Sequence, residues 1–157
     1  MRARAFRDRT SRVRASPDRA SRVRAFRGRA SPVRASRVRA VAAAGAVATV
    51  AAGLAVRAGT DGAFAKYAGS ALYTVLLCAL AVLCAPRARP VVAASAALAL
   101  SWTVEFAQLT GVPAELSAHS TAARLVLGST FNAPDLFWYA VGAAAAWSVH
   151  AGARRPR

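Results

Sequence analysis

From residue 40 onward the chain alternates between long apolar runs and short polar breaks. Ala40–Val56 carries no charge and is bounded by Arg39 and Arg57. Tyr67–Pro86 is also uncharged, bounded by Lys66 and Arg87. Val91–Thr110 holds Glu105 as its one charge, and Pro134–Ala151 has Asp135 at its start and His150 near its end. A helix needs roughly 17 to 25 apolar residues to cross a hydrocarbon core of about 30 Å. The pattern therefore predicts four transmembrane helices at about 40–56, 67–86, 91–110 and 134–151. The fold class is all-α, an integral membrane four-helix bundle, and a soluble core is the weaker reading of four such windows. The first window also has the length of a signal-peptide core, but a 39-residue leader and Arg57 at its far end favour an uncleaved anchor.

Composition changes the picture only once its distribution is considered. The 157 residues are 56% hydrophobic and yet carry a net charge of +16. These coexist because they are segregated: 14 of the arginines fall in residues 1–39, and residues 40–153 hold four arginines and one lysine, Lys66. Basic residues in short loops stay cytoplasmic. With the N-terminus inside, the leader, the loop before Pro90 and the tail at 153–157 carry the arginine excess. Only Arg57, Lys66 and Arg124 then fall outside. The expectation is a multi-pass protein of a bacterial cell membrane with both termini cytoplasmic.

The leader at 1–39 is repetitive. RAFRDRTS at 4–11 returns as RAFRGRAS at 24–31, and SRVRA occurs at 11, 21 and 36. Without a continuous apolar face it has nothing to bury, so it is expected to be disordered. Its charge suits non-specific contacts with anionic lipid, and less specifically nucleic acid. Translation starting within this repeat is a further alternative.

The candidate chemistry lies at the outer ends of the spans. Glu105 falls roughly 21 Å along its helix from Val91, in the outer third of the hydrocarbon. Ser101, Glu105 and Gln108 share a face at i, i+4, i+7. Carboxylates at such a depth usually face the bundle interior and pair. The candidates at matching depth are Arg57, Lys66, Tyr67, His119 and Arg124, with Asp135 opening the last span and Tyr139 and Gly142 on its face. A structural ion pair, or a helix-dipole role for Asp135 after Pro134, stands beside a binding or catalytic site. Glu115 and His119, four apart, are a weak zinc signal, and no metal or other cofactor is expected. Small residues recur at Gly45, Thr49 and Gly53, and again at Gly142 and Ala146, as close-packed membrane helices use them. Trp102, Trp138, Tyr139, Tyr67 and Trp147 are placed as interfacial aromatics.

GLAVR (53–57), KYAGSALY (66–73), EFAQL (105–109) and LVLGSTFNAPDLFWYAVG (125–142) together resemble the small four-span membrane proteins grouped as domain-of-unknown-function family 2809. The resemblance implies the four-span layout and no established reaction. It implies an acid after the K-Y-x-G element, where this chain has Ser70, and a basic residue after E-x-x-Q, for which His119 and Arg124 both qualify. A looser similarity, in E-x-x-Q, a basic loop and an Asp opening the last helix, is to VanZ-like proteins.

Two functional readings follow. One is a binding or accessory module whose outer cluster holds an envelope lipid or a membrane-protein partner, with oligomerisation open. The other is a membrane enzyme acting on an anionic lipid or envelope substrate, with Glu105 and Asp135 as acid and base and the outer cations holding the anion. The chain has no nucleophile–base pair and no glycine-rich phosphate loop, which leans against the second. A proton-coupled carrier is disfavoured by four thin spans.

Overall fold

The computed structural model describes residues 32–154; the repeats before Pro32 and the last arginines lie outside the described residues. Among the described residues six α-helices follow one another: α1 (Pro32–Gly59), α2 (Gly62–Cys84), α3 (Pro90–Ala107), α4 (Val112–His119), α5 (Thr121–Leu127) and α6 (Ala133–Ala153). A single 3₁₀ turn, Gln108–Thr110, joins α3 to α4. The described residues contain no strand. Val33–Gly59, Gly62–Cys84 and Pro90–Thr110 are long and apolar enough to cross a membrane, which makes this a multi-pass membrane protein. The fourth expected span, α6, has 21 residues but is not among these three.

Helix boundaries depart from the sequence reading in one informative place. α1 starts at Pro32, so residues 32–39 of the arginine-rich leader are helical rather than disordered. The extension is anchored, since Arg39 Nε donates to the Leu83 carbonyl at 3.3 Å.

α2 is the centre of the bundle and packs against α1, α3 and α6, while α3 also packs against α6. Consecutive long helices run antiparallel. The α1–α2 turn, α4, α5 and the start of α6 therefore gather at one end, the capped end. The α2–α3 loop, the start of α1 and the end of α6 gather at the other, the open end. Two contacts fix this register: Trp102 donates from its indole N–H to the Leu136 carbonyl at 3.1 Å, and Arg154 Nη2 donates to the Pro86 carbonyl at 2.9 Å.

Burial divides along the same axis. Toward the open end the core is small and apolar, built from Ala42, Cys78, Val82, Ala93, Ala94 and Ala97. Toward the capped end it is polar, with Thr74, Ser101, Glu105, Asp135 and Tyr139 buried. Small residues matter where α2 meets α6. Gly142 is buried, and a methyl group added there would overlap the Ala71 carbonyl oxygen. The ridge in α1 does no such work: a methyl at Gly45 or Gly53 would meet open space.

Candidate functional site

α3 presents one buried stripe at every fourth residue: Ala93, Ala97, Ser101 and Glu105. That stride keeps one face toward α2 and α6. The alanines bring α3 close to its neighbours, and the polar residues then lie where the helices enclose them. Ser101 donates to the Ala97 carbonyl at 3.0 Å. Its hydroxyl has a single proton, so Thr74 of α2 is the donor in the 2.9 Å Thr74–Ser101 hydrogen bond.

One turn nearer the capped end, Glu105 is 1% exposed. Its Oε1 accepts the backbone N–H of Asn132, and its Oε2 accepts the Tyr139 hydroxyl at 2.9 Å. The carboxylate thus joins α3 to the segment entering α6 and to the second turn of α6 itself. Hydrogen bonds to a charged acceptor are about twice as strong as neutral ones, which offsets part of the cost of burying the charge. Tyr139 is buried beside Tyr73, with ring centroids 6.1 Å apart, and so is a core residue rather than an interfacial one.

The connection above Glu105 is held by its own hydrogen bonds. Gln108 Nε2 donates to the Leu127 carbonyl at 2.7 Å, and Ser117 donates to the Gly128 carbonyl at 2.7 Å. Gly128 has φ 66°, a left-handed conformation that favours glycine, and an added Cβ would press on the Gln108 amide. Ser120 caps α5 by accepting the Ala123 N–H. Phe106 stacks on Phe131 with centroids 6.2 Å apart.

Three buried polar atoms at the capped end have no hydrogen-bond partner: Gln108 Oε1, Asn132 Nδ2 and Asp135 Oδ1. Asp135 is 6% exposed, in the first turn of α6, where the helix dipole favours a negative charge. The set offers two acceptors and one donor.

Of the residues singled out from sequence, Glu105 and Asp135 are buried at the capped end and Gln108 is half-buried there. Tyr67 reaches α6 by stacking on Trp138, ring centroids 5.7 Å apart and 15° between planes. Arg57, Lys66, His119 and Arg124 are exposed at the capped end, and none of them is hydrogen-bonded to Glu105, whose partners are Asn132 and Tyr139. Glu115 lies exposed on α4 with His119. Two contributors escaped the sequence reading. Asn132 acts through its backbone N–H, which every residue but proline has. Thr74 is a polar residue in an apolar run, and that was the available signal.

The family described as "Protein of unknown function (DUF2809)" matches residues 59–143, from the end of α1 to the middle of α6. Neither a curated protein nor a solved structure matches the chain. The match covers more than half of the sequence and includes Glu105, Gln108, Asn132, Asp135 and Tyr139, and on it the chain belongs to the DUF2809 family.

Proposed function

We propose that the protein is a four-span membrane binding module, with both termini cytoplasmic, whose capped end receives a small polar group at the extracytoplasmic leaflet. The observation that carries this is Asp135: nearly fully buried, with Oδ1 unpartnered, beside a Glu105 whose two oxygens are already engaged. Buried polar atoms are nearly always hydrogen-bonded, so three unmatched ones at one end of the bundle suit a place where another molecule supplies partners. Glu105 is the positioning residue and Asp135, Gln108 and Asn132 are the receptors. Two acceptors and one donor, one acceptor charged, suit a donor-rich group such as an ammonium- or hydroxyl-bearing lipid head.

The fourth span is supported by register. α6 meets α3 at Leu136–Trp102 and the loop before α3 at Arg154–Pro86, and so runs alongside most of α3. Orientation is supported by charge: Arg34, Arg37, Arg39, Arg87, Arg89 and Arg154 lie at the open end, and Asp61, Glu105, Glu115 and Asp135 at the capped end.

Native mass spectrometry of the full chain, purified gently from its own membrane, tests the reading. The wild type is expected to carry a bound small-molecule mass. Asp135→Asn should keep abundance and helicity but lose that mass. An empty wild type overturns the reading, as does an Asp135→Asn variant that retains every mass the wild type carries or collapses in the membrane.

A further inference from the structure

At the open end, remote from Glu105, α1, α2 and α6 enclose a groove of about 440 Å³. α1 packs along α2 and leaves a gap toward α6, and the walls are small or apolar: Val41, Ala42, Ala79, Val82, Ala146 and Val149 among them. On α1 the lining runs from Arg37 to Thr49. That is roughly 18 Å of helix, close to the depth of one leaflet of a bilayer core about 30 Å thick.

Its end is basic. Arg37, His150 and Arg154 close the groove where the helices reach the open end. Arg154 directs Nε to His150 Nε2 and one Nη2 hydrogen to the Pro86 carbonyl, both at 2.9 Å, which leaves its other guanidinium hydrogens free. Arg37 is exposed and makes no hydrogen bond or ion pair with the described residues. No acid among the described residues lies at this end. An uncompensated pair of guanidinium groups thus stands over an apolar slot one leaflet deep.

We propose that this groove binds one anionic phospholipid of the leaflet facing the open end, an acyl chain lying between α1 and α6 and its phosphate held by Arg37 and Arg154. Guanidinium is suited to this task because its planar donors match phosphate oxygens in pairs. A second copy of the chain fits less well. A helix with side chains is about 10–12 Å across, too wide for the slot, and a copy would bring the same arginines against these. The inference rests on the membrane reading but not on the Glu105 site.

The test uses the full chain in nanodiscs of phosphatidylcholine with about one part in ten phosphatidylglycerol, followed by native mass spectrometry of retained lipid. The wild type should retain one phosphatidylglycerol, enriched about tenfold over its share of the disc. Arg37→Gln should lose most of that enrichment, and Arg37→Gln with Arg154→Gln all of it. Ala146→Phe fills the slot while leaving every arginine in place, and should also abolish retention. That variant separates the groove from diffuse attraction by the basic leader. Asp135→Asn should leave phosphatidylglycerol retention unchanged, so this proposal and the capped-end site fail separately. Retention of the two lipids at the disc ratio overturns the proposal. So does enrichment that survives Ala146→Phe, or a dimer appearing in place of the lipid-bound monomer.

Discussion

Glu105 sits where α3, the entry to α6 and the second turn of α6 converge, and each of its oxygens serves a different one of them. A hydrogen bond to a charged group contributes about 1.5–3 kcal/mol, and removing one partner from a buried ion costs more than replacing both. Tyr139→Phe is therefore expected to destabilise the protein by about 2 kcal/mol. Glu105→Gln should also destabilise it, because an amide has one acceptor oxygen where two donors point inward. The double variant should cost less than the sum of the two, since both remove the same hydrogen bond. Reversible unfolding in bicelles measures all three, and strict additivity would mean that the Tyr139–Glu105 contact contributes nothing. The position of Glu105 was legible from sequence because a lone carboxylate stands out in an apolar run. Its partners were only half legible: Tyr139 could be placed on the face of Asp135, but Asn132 could not. Complementary charge directs attention to Arg57, Lys66 and Arg124, whereas the protein uses a backbone N–H and a phenol, whose availability depends on helix register rather than residue type.

Helix pairing shows a similar division. The repeats Gly45-Thr49-Gly53 and Gly142-Ala146 look alike in sequence, yet only Gly142 faces a neighbouring backbone. Spacing identifies a face made of small residues, but not whether another helix lies against it. Gly142→Ala places a methyl on the Ala71 carbonyl, and backbone cannot yield as a flexible side chain does. The expected loss is about 1–3 kcal/mol, the range for overpacking a well-packed contact. Gly45→Ala should be neutral or slightly stabilising, since it adds helix propensity in open space. Thermal melts of the two variants side by side check this, and equal effects would show that α2 and α6 do not approach as closely as described. The stripe Ala93-Ala97-Ser101-Glu105 was only half legible for the same reason: its polar end drew notice, while its alanines are indistinguishable from the others in the chain.

For the molecule as a whole, the path of α6 decides the topology, since α6 is not among the three helices long and apolar enough to cross a membrane. Its neighbours support the proposal that it crosses. An α6 lying along the surface would be unable to place Leu136 beside Trp102 and Arg154 beside Pro86, because Trp102 lies in the C-terminal half of α3 and Pro86 just before its start. Its polar residues also have reasons to be tolerated. Tyr139 and Asp135 face inward, Trp138 stacks on Tyr67 near the capped end, and Arg154 lies with the open-end cations. Crossing puts the C-terminus on the same side as the start of α1, where arginine dominates, and puts α4 and α5 on the other side. A fluorescent protein fused after Arg157 should therefore fold and glow in the cytoplasm, and a periplasmic phosphatase fused at the same place should be inactive. Cysteine placed at Ala118 or Thr130, both exposed, should react with a membrane-impermeant maleimide added to intact cells. Cys84 is exposed at the open-end terminus of α2, and should react only after the membrane is opened. An active phosphatase at the C-terminus would place α6 outside the membrane slab and leave three spans. The Glu105–Tyr139 contact would then require a different arrangement of helices, so the topology assay and the stability cycle constrain one another.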